Sequence, residues 1–150
     1  MKILLAIDES EYSKTAIKEL IKRPWPKGTF VRVLTVIQPL PAMALEPWYG
    51  GRDSLGIMDK ELRKRAQSLT NGATAALKKE GIKAESAIRE GDPRSQIVDE
   101  AEKWAADLIV IGSHGYTALK RFFLGSVASS VVTHAPCSVE IVRKKQKKAR

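Results

Sequence analysis

The chain has 150 residues, 43% of them hydrophobic and 29% charged, a balance that suits one globular domain with its own core and excludes a disordered chain or a disulfide-dependent miniprotein. The formal charge of +9 is unevenly placed: six of the eight residues from Arg143 to Arg150 are Lys or Arg, which leaves 20 basic against 17 acidic residues in the body. The tail therefore reads as a solvated, disordered extension rather than a polyanion-binding arm, and the near-balanced body, 1–142, gives little support for nucleic-acid binding.

Lys2 to Ile7 is a nearly unbroken apolar run of strand length that ends at Asp8. It is too short to span a bilayer or form a signal-peptide core, and no other apolar run reaches the roughly 18 residues a membrane span needs. Ser10 and Glu11 open a helix that puts Ala16, Ile17, Leu20 and Ile21 on one face until Pro24 and Pro26 stop it. Phe30 to Ile37, rich in Val and Ile, makes a second strand closed by Pro39 and Pro41. Gln38 to Gly56 carries three prolines and three glycines without a clear period and reads as a long loop, a candidate flap.

From Ile57 on, Met58, Leu62, Ala66, Leu69, Ala73 and Leu77 recur at helical spacing until Gly81. Ile82 to Arg89 is a third strand, and Gly91-Asp92-Pro93 turns into a helix bearing Ile97, Val98, Ala101, Trp104 and Ala105, with Trp104 as core or half-buried face. Asp107 to Ile111 is the strongest buried-strand signal and runs directly into Gly112. Val127 to Val132 reads as a helix, and Ser138 to Val142 as a last strand after Pro136. The single Cys137 can form neither a disulfide nor a metal pair, which predicts a packed core thiol in a reducing, cytoplasmic setting.

Strands and helices that alternate with apolar strands predict an α/β, doubly wound parallel sheet with helices on both faces. Such sheets bind ligands beyond the carboxyl ends of their strands. Here the first strand ends in Asp8 and the fourth in Gly112-Ser113-His114-Gly115, with Gly125-Ser126 at the start of the next helix. Glycines in that loop are expected to free the backbone conformation and let a phosphate approach main-chain N–H groups, while the helix start and the Ser126 hydroxyl favour an anion. The loop is neither a G-x4-G-K-[ST] P-loop nor a G-x-G-x-x-G dinucleotide fingerprint. Asp8 can serve either as a cap of the following turn or as a crevice-facing ligand group. His114 reads as loop-lining rather than catalytic, Lys103, Lys120 and Arg121 as solvated charges, and Phe122, Phe123 and Leu124 as apolar contacts fixing the loop to the body.

The chain resembles the universal stress protein family over roughly residues 2 to 143. The resemblance is carried by Ile3-Leu4-Leu5-Ala6-Ile7-Asp8 with Ser10, Gly91-Asp92-Pro93, Asp107 through Gly115, Leu124-Gly125-Ser126-Val127-Ala128, and His134-Ala135-Pro136-Cys137. It implies a five-stranded sheet of order 3-2-1-4-5, Rossmann-like, and the glycine spacing looks like that of the ATP-binding branch. By the same resemblance Ala6, Ile7, Asp8 and Val36 would border the adenosine, Ile111, Gly112, His114 and Gly115 the ribose and phosphates, and Gly125, Ser126, Val127 and Ala128 the phosphate chain. Mg would be held mainly by the phosphates, with no metal ligand set and no catalytic residue from the protein. Ala128 stands where ATP-binding relatives often carry Ser or Thr and Ser138 where proline is frequent, which implies a weaker phosphate grip. The resemblance also implies a homodimer through Ser138 to Val142, with Glu140 interrupting that strand, and a role as a stress-response regulator or nucleotide switch with an unidentified signalling partner. The alternatives are a slow or partner-stimulated ATPase and, last, nucleic-acid binding through the basic tail.

Overall fold

Strands and helices alternate along the chain in the computed structural model, which describes residues 1–39, 51–115 and 123–144, the side chains of 51–55 excepted. The elements are β1 (Lys2–Ala6), α1 (Glu11–Lys22), β2 (Phe30–Ile37), α2 (Gly51–Lys79), β3 (Lys83–Glu90), α3 (Pro93–Trp104), β4 (Leu108–Gly112), α4 (Ser126–His134) and β5 (Ser138–Val142). The strands form one parallel sheet of order β3-β2-β1-β4-β5. Among the described residues no helix is long and apolar enough to cross a membrane.

The period-two alternation of the central strands explains the two layers of helices. Ile3, Leu5, Val31 and Val33 face one way and pack with Ala16 and Leu20 of α1 and Ala73 and Leu77 of α2. Leu4, Ala6, Leu34, Ile109 and Ile111 face the other way and meet Ile97 and Ala101 of α3 and Val131 of α4. Both faces of β1 and β4 are thus buried, so their sequences are continuous apolar runs. The chain winds outward from β1 to β3, then returns past β1 to β4. Connections leaving β1 and β4 therefore diverge to opposite sides, opening a crevice at their carboxyl ends.

Local signals set the helix starts. Ser10 caps α1 by accepting from the Ser13 N–H at 3.2 Å. Asp92 caps α3 ahead of Pro93, and its hydrogen bond from the Arg94 side chain holds its carboxyl below the usual carboxylate range. One long-range polar cluster is buried: Glu100, 3% exposed, accepts from Arg32 at 2.8 Å and from Arg89 at 2.7 Å, while the Arg32 guanidinium lies 4.4 Å from the Trp104 ring centre.

The structure corrects the loop read from Gln38 to Gly56, because 51–56 already belong to α2; the candidate flap, 40–50, lies outside the described residues. Ile57 and Met58 of α2 are 64% and 47% exposed. Cys137 is half-buried, against the expected core position, and burial raises its thiol pKa.

Candidate functional site

At the carboxyl ends of β1 and β4 lies a cleft of about 280 Å³. Its first wall is the end of β1. Thr35 Oγ1 donates to the Ile7 carbonyl at 2.9 Å, and the Ile7 N–H donates to the Leu34 carbonyl at 2.9 Å, fixing this end to β2. Asp8 is then tied to the first turn of α1. Its N–H donates to Ser13 Oγ at 2.8 Å, and its Oδ1 accepts from Ser13 Oγ at 2.7 Å and from the Ser10 N–H at 3.0 Å. Oδ1 organises the turn, the capping role considered for this residue, while Asp8 also lines the cleft, and a Cβ added to Gly115 would lie 3.1 Å from its Oδ2.

The second wall is the segment after β4. The Ser113 N–H donates to the Val142 carbonyl at 2.9 Å and the Gly125 N–H to the Ser113 carbonyl at 2.8 Å, so 112–115 is pinned both to β5 and to the start of α4. His114 is 7% exposed; its Nδ1 lies 3.0 Å from Ser113 Oγ, its ring centre is 5.0 Å from that of Tyr12, and its Nε2 is buried without a hydrogen-bond partner among the described residues. The third wall is the first turn of α4. Gly125 is its N-cap and brings no side-chain hydrogen bond. Among the described residues the N–H groups of Ser126, Val127 and Ala128 therefore have neither an intrahelical partner nor a capping side chain, and they carry the positive end of the helix dipole.

All twelve residues singled out from the sequence line this one cleft: Ala6 from β1 with Ile7 and Asp8 just after it, Val36 from β2, Ile111, Gly112, His114 and Gly115 from β4 and its loop, and the N-cap Gly125 with Ser126, Val127 and Ala128 from α4. Four more were missed: Ser13, Leu34, Pro93 and Ile97. Leu34 lies two residues before Val36 on the same strand face, so alternation supplied a signal for it. Pro93 belongs to the Gly91-Asp92-Pro93 turn, whereas Ile97 and Ser13 look in sequence like ordinary helix positions.

The glycines act differently from the sequence expectation. None of Gly112, Gly115 and Gly125 has a positive φ; among the described glycines that conformation belongs to Gly28, Gly81 and Gly91. A Cβ on Gly112 would sit 2.8 Å from Tyr12 Cβ, on the α1 side, and one on Gly125 would sit 3.2 Å from His114 Cα and 3.3 Å from the Ser113 carbonyl oxygen. They permit close approach of protein to protein, which builds the cleft walls rather than emptying the cleft itself. Phe123 is 72% exposed and does not fix the loop to the body; Leu124 is half-buried, and Phe122, Lys120 and Arg121 lie outside the described residues.

An open parallel sheet whose switch point carries an uncapped helix N-terminus defines a doubly wound α/β domain with an anion-accepting cleft. The profile of the universal stress protein family matches residues 1–143, and the chain belongs to that family. The universal stress protein Sll1388 of Synechocystis is 30% identical over 150 residues, covering 95% of this chain and 97% of its own. The solved structure of the hypothetical protein MJ0577 superposes with a TM-score of 0.83 at 29% identity, over 97% of each chain. The universal stress protein from Archaeoglobus fulgidus, solved in complex with dAMP, superposes with a TM-score of 0.63 at 26% identity, covering 95% of this chain and 97% of its own.

Proposed function

We propose that the cleft holds an adenine nucleotide, ATP in particular, and that the protein works as a nucleotide-dependent switch in stress response rather than as a rapid enzyme. One observation carries the reading: the first turn of α4, without a side-chain cap from Gly125, opens onto a cleft that also has an apolar lining of Leu34, Val36 and Ile97 and the carboxylate of Asp8. A phosphate chain placed on the Ser126, Val127 and Ala128 N–H groups satisfies these donors, with the Ser126 hydroxyl as a further one. The base then lies over the apolar side with the Asp8 carboxylate within reach of its polar edge. The dAMP complex of the Archaeoglobus fulgidus relative supports this choice of ligand class.

Asp8 is the one carboxylate on the described lining, and its Oδ1 already accepts two hydrogen bonds. Mg therefore enters with the triphosphate, carried mainly on phosphate oxygens. With that carboxylate committed to the α1 turn, the described lining offers no second acid to orient a water, which supports occupancy without rapid hydrolysis. The nucleotide state is read through a homodimer joined along β5, a strand at the edge of the sheet. Glu140, which interrupts that strand, pairs with Arg23 at the end of α1 at 2.5 Å, so its charge is held on the α1 face instead of along the pairing edge.

The test is direct. Nucleotide released by denaturing the purified protein is identified by mass, ATP, ADP and AMP are titrated calorimetrically, and labelled ATP is followed for hours. ATP binding with little hydrolysis is expected; absence of both heat and thermal protection at millimolar nucleotide overturns the assignment.

A further inference from the structure

The near-balanced charge of the body conceals an asymmetry that the fold creates. Between α1 and the end of β5 runs a groove lined by Lys18, Lys22, Arg23, Arg143 and Lys144. A second groove shares Arg23 with it and adds Lys27 and Lys83, and a third shares Lys83 and adds Lys78. The three adjoin, and all eight cations are exposed. Against these eight stand three acids on the groove walls, Glu19, Glu80 and Glu140, a net of +5. Elsewhere among the residues with described side chains, eleven Lys or Arg face twelve Asp or Glu, a net of −1. Beyond Lys144 the sequence carries four more basic residues, which lie outside the described residues.

Two of the eight cations are engaged, Lys22 with Glu19 at 3.4 Å and Arg23 with Glu140 at 2.5 Å, both in partly or fully exposed pairs that cost little to exchange. The band also reaches the first turn of α1: Glu11, whose carboxyl is held low first by its hydrogen bond from Lys14, feels Lys144 and Lys18 as well.

We propose that this band, running from Lys144 past Arg23 to Lys78, binds the phosphate backbone of duplex nucleic acid without regard to sequence. An extended row of exposed cations with few acids matches an extended polyanion. A membrane surface fits less well, since none of the exposed large hydrophobic residues, Met1, Ile57, Met58, Phe123 and Val132, lies on the groove walls to enter a bilayer. No groove residue lines the nucleotide cleft, so the two sites fail or survive independently.

The experiment uses the full chain and a fluorescent random-sequence duplex of about 24 base pairs, followed by anisotropy between 50 and 200 mM KCl. With about five phosphates neutralised, the slope of log K against log salt is about −4.5, so affinity falls about 500-fold over that range. The combined variant Lys18→Gln, Arg143→Gln, Lys144→Gln flattens the slope by about 2.7, and Lys27→Gln with Lys83→Gln by about 1.8. The control Lys60→Gln, Lys64→Gln, Lys103→Gln, off the band, keeps the parent slope, and a chain ending at Lys144 binds more weakly but still responds to the groove substitutions. Thermal melts and ATP titration establish that each variant is folded. No duplex binding at 50 mM salt, equal losses in the control and groove variants, loss of all binding on ending at Lys144, or tighter binding to phosphatidylserine vesicles than to the duplex each overturns the proposal.

Discussion

Gly112→Ala separates two explanations of the glycines around the cleft. The new methyl would lie 2.8 Å from Tyr12 Cβ, 3.1 Å from the Tyr12 carbonyl carbon and 3.4 Å from the Ser13 nitrogen. Two of those atoms are backbone of the first turn of α1, so no side-chain rotation relieves the contact. Overpacking of this kind costs about 1–3 kcal/mol, and for a domain of this length about 2 kcal/mol lowers the melting temperature by roughly 4–8 °C. The same push moves Ser13, and with it the hydrogen bonds that hold Asp8, so ATP affinity falls as well. Gly72→Ala is the matched control: nothing lies within 4 Å of its added methyl, and it sits inside α2. Helix propensity there gains about 0.8–1 kcal/mol. Differential scanning fluorimetry without nucleotide, followed by ATP titration, reads both variants. If Gly112→Ala melts with the parent protein yet loses ATP, the glycine serves the ligand directly and the packing argument fails.

Ser13→Ala removes the donor to Asp8 Oδ1 and the acceptor of the Asp8 N–H, and is expected to cost about 1–3 kcal/mol in urea unfolding and to weaken ATP binding; an unchanged affinity would show that Asp8 needs no such anchor. Glu100→Gln, which leaves Arg32 and Arg89 facing a neutral amide, is expected to destabilise by about 3 kcal/mol without altering ATP affinity, since none of the three lines the cleft; chemical denaturation and calorimetry check the two halves. The raised pKa of Cys137 means less thiolate at neutral pH, so alkylation by iodoacetamide runs slower than for an unhindered thiol and catches up only above the ordinary thiol range. Because the folded-state value lies above the unfolded one, any stability linked to this thiol is fully present below the unfolded pKa and is lost as pH rises through the folded pKa; a thermal-melt pH series that gains stability through that window contradicts the shift.

Much of this protein was decided within short stretches of sequence. The bounds of β2 and β5 are read correctly from β-branched runs and flanking prolines, and the starts of α1 and α3 from Ser10 and the Gly91-Asp92-Pro93 turn, because strand propensity, capping and proline sterics act over a few residues; Ala105, read as part of α3, is its left-handed C-cap. Of the twelve sequence candidates that line the cleft, Asp8, Gly112, His114, Gly115, Gly125 and Ser126 stand at strand ends and glycine positions, and the other six come from the resemblance in motifs, which does not require knowing where side chains point. The start of α2 reads as loop because Gly51 and Gly56 are poor helix formers and the stretch has no apolar period in sequence.

What only the tertiary structure decided concerns groups distant in sequence. Asp8 and Gly115 meet because β1 and β4 are neighbours in the sheet, and Ser13 and Ile97 join the cleft because their helices lie on either side of it. The direction in which Gly112 and Gly125 lack a side chain is set by the helix or loop packed against them, a neighbour that the sequence does not name. Charge follows the same rule: composition sums over the whole surface, whereas Coulomb forces depend on distance, and the fold alone places Arg143 beside Lys18 and Lys27 beside Lys83.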